Sequence, residues 1–319
     1  MENRSGGTFW RFAVKAAISL ILLWIPLRHV AVGAVLAQIA IIDRAGLFLA
    51  LLALAVATFV AALRWSTILG ALLTPRSLSV TYPLSLIGVF FGQALPAGIG
   101  GDVVRAWLAR RTGMTTRVAI SSIVGDRLTG FLAILIIVTA ELPQLDRLLT
   151  SRALFYGLLV VLACGYGGIA AVMYLDKLPA FLHRFRVFQH LAGISADLRT
   201  AVFSLAGIVV LFLGAIVQLC NVVAVFALAR GLHLPASFMS CLLIVPFANV
   251  LQTVPISVAG WGVRESFFVA AFGMIGIAAP SALAVSVIFG LLVLVNSLPG
   301  GVLWLMQGSP TTAKLPDAL

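Results

Sequence analysis

The sequence predicts an all-α polytopic membrane protein with about six full spans plus two re-entrant broken-helix hairpins, in two inverted-topology repeats. Three observations predict it. Of 319 residues, 62% are hydrophobic and only 10% charged, with mean hydropathy +1.15; a soluble domain carries about 25% charged residues. Apolar stretches of roughly 20 residues, long enough to span a bilayer, recur from end to end. Two stretches are interrupted by proline, glycine and charge, at LPAGIGGDVVR (95–105) and VPISVAGWGVRE (254–265).

In chain order, the first span is read at about 9–27. Arg4, Arg11 and Lys15 precede its core as in a secretory signal, but Arg28 and His29 follow where a small-residue cleavage site would stand. It is therefore read as an uncleaved span. The stretch 28–44, RHVAVGAVLAQIAIIDR, is short, amphipathic and expected near the interface. The second span is about 45–72, with LRW at 63–65 near its end. The first interrupted segment covers about 80–111, and the third span about 117–140. A connector, ELPQLDRLLTSR, leads to a fourth span at about 153–175. Residues 177–199 mix bases with Phe and Leu at helical spacing, as in an interfacial amphipathic helix, although a plain solvated loop has nearly the same pattern. The fifth span is about 201–229, the second interrupted segment about 236–277, and the last span about 281–306.

Charge orients these elements. The net charge is +11. In a soluble protein that balance would point to nucleic acid, but here basic residues set topology and meet anionic headgroups, so no nucleic-acid partner is expected. With each interrupted segment returning to its own side and the N-terminus inside, twelve basic residues face the cytoplasm: Arg4, Arg11, Lys15, Arg76, Arg110, Arg111, Arg117, Lys177, Arg184, Arg186, Arg199 and Lys314. Five face out: Arg28, Arg44, Arg147, Arg152 and Arg230. That asymmetry fits the positive-inside rule, with both termini in the cytoplasm of a bacterial-type inner membrane. Were the first segment a net single crossing, the basic 177–199 stretch would lie outside.

The two breaks align with each other. Laying Pro96 on Pro255 places Gln93 on Gln252, Gly101 on Gly260, Val104 on Val263 and Arg105 on Arg264, five identities in thirteen positions. Two spans precede each break and one follows, which divides the chain into repeats at 1–150 and 151–319 within one membrane domain. An odd number of crossings per repeat inverts the second, so the breaks would enter from opposite faces and meet near the midplane, as in secondary transporters.

Ionisable residues fall where hydrocarbon is expected: Arg64, Asp102, Arg105, Asp126, Arg127, Arg264 and Glu265. Each costs about 2.5–3.5 kcal/mol at the bilayer centre and implies a partner or a wet cavity. Asp102 and Arg105 share a face of the half-helix after the break. Three arginines against two aspartates near the first break leave a residual positive charge. The helix N-termini exposed at GIGGDVVR and VAGWGVRE favour an anion, Gly100, Gly101 and Gly260 allow close backbone approach, and an arginine fork holds phosphate. Simpler roles for the same residues are a helix N-cap for Asp102 and a structural ion-pair cluster for Asp126, Arg127 and Arg64.

Signatures of catalysis are sparse. GIGGD matches neither the P-loop nor the dinucleotide fingerprint. His29, His183, His190 and His233 fall in expected interfacial loops, and Cys164, Cys220 and Cys241 lack metal-ligand spacing. No catalytic residue, metal or cofactor is expected.

LRW at 63–65, FFGQALPAGIGGDVVRAWLARR at 90–111, SIVGDRLTGF at 122–131 and VPISVAGWGVRE at 254–265 together resemble the lysylphosphatidylglycerol synthase transmembrane family, or flippase-like domain family. The resemblance runs over nearly the whole chain, with the motifs in the family's order. Where the family usually has Glu-Arg in the third span this chain has Asp126–Arg127, and Trp261 stands where a small residue is common. The resemblance implies a membrane domain that flips a modified lipid, here read as a stand-alone domain without the synthetase domain, so that it does not imply lysyltransferase activity. The expected function is a flippase or transporter of a phosphate-bearing amphipathic lipid, a modified phospholipid or a polyprenyl- or hopanoid-pathway lipid. Arg64, Arg105, Arg127 and Arg264 would hold the anion, while Asp102, Asp126 and Glu265 orient them or carry a proton; Gln93, Pro96, Gln252 and Pro255 complete the expected site. The partners expected are anionic or phosphate-bearing lipids and a lipid-modifying enzyme or glycosyltransferase. The alternatives are an integral-membrane enzyme using Asp102 or Asp126 as acid or base, and a non-catalytic partner of a glycosyltransferase.

Overall fold

The computed structural model describes residues 32–94, 100–148, 152–177, 186–253 and 261–306. The first expected span, and with it Pro96, Pro255 and Gly260, lies outside them. The described residues form twelve α-helices and no strand: α1 (Val32–Ala40), α2 (Arg44–Ala71), α3 (Leu78–Ala94), α4 (Gly100–Arg111), α5 (Thr116–Ala140), α6 (Leu142–Leu148), α7 (Arg152–Met173), α8 (Arg186–Val202), α9 (Leu205–Gly231), α10 (Phe238–Thr253), α11 (Val263–Met274) and α12 (Ala279–Met306). Five are long and apolar enough to cross a membrane: α2, α5, α7 from Phe155, α9 and α12. The protein is a multi-pass helical membrane protein. Its lipid solvent also accounts for large apolar side chains left on the outside, such as Leu205 at 85% exposure and Phe48 at 69%.

Capping starts several helices where the sequence offers an oxygen. Asp43 accepts from the Ala45 amide, Thr115 from Val118 and Ser204 from Gly207, at 3.2–3.3 Å. Each satisfies one of the amide protons that a helix N-terminus leaves free.

α2 and α9 lie side by side along the centre of the bundle. The Asp43 amide donates to the Gly231 carbonyl at 2.9 Å, so the start of α2 meets the end of α9 and the two run antiparallel. A Cβ on Gly46 would stand 2.8 Å from the Ala227 carbonyl, so only glycine allows that approach. The other helices pack around this pair in matching sets. α3 packs on α2 as α10 does on α9, α3 on α4 as α10 on α11, and α4 on α5 as α11 on α12. α5 touches α9 and α10, and α12 touches α2 and α3.

The α3–α4 pair has both its ends at one end of the bundle. The Arg76 guanidinium, ahead of α3, donates to the Thr112 carbonyl beyond α4 at 3.2 Å. Leu234 and Ala236, ahead of α10, share an apolar core with Ile277 beyond α11. That core also holds Leu228 and Leu232, at the end of α9. The α3–α4 crossing is tight: a Cβ on Gly101 would lie 2.1 Å from the Gly88 carbonyl oxygen. Gly101 thus serves helix packing, a role the sequence reading had not given it.

The basic stretch at 177–199 is helical over α8, which starts at Arg186 and ends beyond the expected range. α8 docks on α5 and α7 through polar contacts. Arg117 forks onto Asp197 at 2.8 and 3.0 Å, and Ser121 donates to the same carboxylate at 2.9 Å. Arg199 forks onto Asp176, which also accepts from Ser195 at 3.1 Å. The Arg199 fork holds the Asp176 carboxyl well below the usual range, at about 2. A depressed pKa makes this contribution full above the ordinary Asp value of about 4 and lost as pH falls through 2. Hydrogen exchange of α8 is therefore expected to accelerate, beyond its intrinsic pH dependence, as pH drops from 4 to 2 in the wild type. Asp176→Asn should show fast exchange at both values; a wild-type rate flat over that window would contradict the assignment.

Candidate functional site

Three helices bring charge together at the middle of the bundle. α2 supplies Arg64 near its end, α4 supplies Asp102 and Arg105 in its first turns, and α5 supplies Asp126 and Arg127 at about half its length. Asp126 accepts from two arginines: Arg64 Nε on Oδ1 at 2.8 Å and Arg105 Nη1 on Oδ2 at 3.1 Å. Asp102 is bound on both edges by Arg127, at 2.7 and 3.2 Å, with Arg105 Nη1 3.6 Å away. Asp102 is in the first turn of α4, and its carboxylate is bound by arginines. The four-membered chain Arg64–Asp126–Arg105–Asp102 ends in Arg127, and the five groups sum to one positive charge.

Burial differs sharply along this chain. Arg64, Arg105 and Asp126 are buried. Glycines make room for the guanidiniums: a Cβ on Gly130 would stand 2.8 Å from Arg64 Nη1, and one on Gly88 2.4 Å from the Arg105 stem. Arg105 lies over the Trp65 ring at 4.3 Å, and Trp65 in turn donates to Ser122 at 3.1 Å. Its Nε is buried without a hydrogen-bond partner. Arg127, in contrast, has 63% of its side chain exposed at the middle of a spanning helix. A guanidinium facing hydrocarbon at that depth would cost about 2.5–3.5 kcal/mol.

The second break carries a smaller cluster. Glu265 Oε1 accepts from Arg264 Nη2 at 2.6 Å and from Ser286 Oγ of α12 at 3.1 Å. Oε2 accepts the Gly262 amide at 2.5 Å. Gly262 has φ +88, a left-handed conformation that favours glycine, and this turn aims its amide back at the helix start. Arg264 lies over Trp261 at 4.9 Å, and a Cβ on Gly290 would stand 2.2 Å from its Nη2. Arg264 and Glu265 are both buried, as a neutral pair.

Among the described residues no hydrogen bond or ion pair joins the two clusters. Gln93 is half-buried at the end of α3 and makes no side-chain hydrogen bond, whereas Gln252 sits with Asn249 and Gln218, which share a hydrogen bond at 2.8 Å. Sequence reasoning passed over Trp65, Ser286 and the glycines behind the arginines. LRW marked Trp65 as a motif position, but nothing in the chain linked Ser286 to a glutamate 21 residues earlier.

Fold and site together define a polytopic helical membrane protein with an arginine-rich ion-pair cluster at mid-span. Residues 12–300 match the family model for the lysylphosphatidylglycerol synthase TM region. The chain belongs to that family, which ties it to a membrane function concerned with lipids. No curated protein matches it.

Proposed function

We propose that the protein is a flippase that moves a phosphate-bearing amphipathic lipid across the bacterial cytoplasmic membrane, with both termini inside. One observation carries this reading: the surplus positive charge of the α2–α4–α5 cluster ends in an exposed guanidinium, Arg127, at mid-span. An anionic headgroup entering there meets a cation whose other edge is already held by Asp102, so the fork is oriented before the lipid arrives. The unpartnered Nε of Arg105 is a second donor in the same cluster. The acyl chains stay in the bilayer while the headgroup crosses beside protein.

The matched packing of α2–α5 and α9–α12 supports reading the two halves, 1–150 and 151–319, as inverted copies. Their short pairs, α3–α4 and α10–α11, would then be re-entrant from opposite faces. Rocking of one half against the other would open the cleft alternately to each side. Transport is favoured over chemistry on a lipid phosphate because Asp126 and Asp102 each serve two arginines, leaving neither as a free acid or base. Membrane lipids are the partners this reading requires.

Vesicles of phosphatidylcholine carrying acyl-labelled phosphatidylglycerol, with and without the reconstituted protein, provide the test. Reduction of the outward-facing label should go to completion only with protein, and Arg127→Ala should slow the slow phase at least roughly tenfold, the equivalent of one charge-assisted hydrogen bond. Equal movement in protein-free vesicles would sink the proposal. A chemically altered lipid without transbilayer movement would favour the enzyme.

A further inference from the structure

Away from the arginine cluster lies a buried acid. Glu141 stands between α5 and α6, only 5% exposed, and both carboxyl oxygens are buried without a hydrogen-bond partner. It is not capping α6: Pro143 has no amide proton, and the Gln144 and Leu145 amides donate to the Glu141 backbone carbonyl instead. The surrounding core is apolar, built from Ile134, Leu135 and Val138 of α5, Leu142 and Leu145 of α6, and Leu158 and Leu162 of α7.

Among the described residues no charged side chain pairs with it. On α6 and α7, Asp146 and Arg152 pair with each other at the surface. Tyr166 of α7 shares a hydrogen bond with Thr139 at 2.9 Å, and Tyr156 is exposed. α10 brings Phe247 and Val250 to this core, and the polar groups of α9 and α10, Gln218 and Asn249, bind one another. Arg127 and Asp126 are about 22 Å back along α5, at 1.5 Å per residue.

We propose that Glu141 is a proton-binding site: its carboxyl holds a proton while the α5–α6 elbow is closed and releases it to water when that elbow opens. Burial alone pushes its pKa up to about 8, whereas an exposed glutamate titrates near 4.3. The raised value means the closed elbow is fully stabilised below the exposed value and loses that advantage as pH rises through 8. Between pH 6 and 8 the opening equilibrium therefore rises about tenfold per unit and then levels off. The site does not depend on the lipid reading, and it offers a transporter a group that can take part in proton coupling about 22 Å from the arginine cluster.

The chain has three glutamates, Glu2, Glu141 and Glu265, and Glu265 is ion-paired. Labelling the full-length protein with 13C-glutamate thus isolates the signal. Infrared spectra in lipid nanodiscs should show a labelled, protonated carboxyl band at pH 6 that fades by pH 9 and is missing from Glu141→Gln. Hydrogen exchange of residues 142–148, corrected for intrinsic rates, should accelerate about fiftyfold from pH 6 to 8 in the wild type and stay flat in that variant. No protonated band in the wild type, a band unchanged to pH 9, or the same exchange slope in both proteins would overturn the proposal. The wild-type spectra decide it even where the variant does not fold.

Discussion

Asp126→Ala is expected to remove about 3–5 kcal/mol of stability, the cost of stripping the partner from buried charge. The carboxylate serves two buried guanidiniums, one on each oxygen. Arg105 would keep Asp102 at 3.6 Å, but Arg64 has no second carboxylate among the described residues. Its guanidinium fills the space left by Gly130 and cannot leave the interior without breaking the contact of α2 with α5. Asp126→Asn retains one acceptor oxygen and should lose less. The double change Arg64→Leu with Asp126→Leu should recover part of the loss, because apolar replacement of a buried pair is often near neutral. Unfolding in detergent, followed by tryptophan fluorescence, measures all three. A loss under about 1 kcal/mol for Asp126→Ala would show that water already reaches the pair.

Glu265→Ala should be the other large effect, again about 3–5 kcal/mol, for a related reason. Glu265 is fully buried, and its oxygens collect the Arg264 guanidinium, the Ser286 hydroxyl and the Gly262 amide. Its removal leaves Arg264 charged in a pocket closed by Trp261, Phe289 and Gly290. It also frees the start of α11, where a lost cap costs about 1 kcal/mol by itself. Ser286→Ala removes a hydroxyl that donates to Glu265 and accepts from Arg264 Nε, at 3.1 Å each, and should cost less, about 1–2 kcal/mol. The comparison separates charge from hydrogen bonding: equal losses in the two variants would mean Arg264 finds another partner. Because no hydrogen bond or ion pair joins the two clusters among the described residues, Asp126→Ala and Glu265→Ala should combine additively to within about 0.5 kcal/mol.

The helices were legible because their signals are local. The expected third span, 117–140, is α5 to within one residue, since the apolar run and the Thr115 cap mark its start. Of the interrupted stretch 95–105, residues 100–105 begin α4, and residues 95–99 lie outside the described residues. The connector after α5 contains α6, a seven-residue helix too short for hydropathy to reveal. The charged members of the first cluster were all named from the sequence, because an ionisable residue in an apolar run stands out whatever it touches. Glu141 escaped notice for the opposite reason. It lies just past a span, where an exposed carboxylate is the ordinary expectation, and only the packing of α6 and α7 buries it.

The sequence alone determined that this chain is helical, that it spans a membrane several times, where two apolar runs are interrupted, and which charges fall within apolar stretches. Hydropathy over about 20 residues and the backbone limits of proline and glycine suffice for each of these. Tertiary structure alone decided which charge meets which. Adjacent residues on a helix point about 100° apart, so Asp126 turns inward to Arg64 and Arg105 while its neighbour Arg127 turns outward to Asp102. Spacing along the chain could not reveal that one of three clustered arginines would be left exposed at mid-span. That depends on how α2, α4 and α5 approach one another, and the glycines at their contacts set that distance.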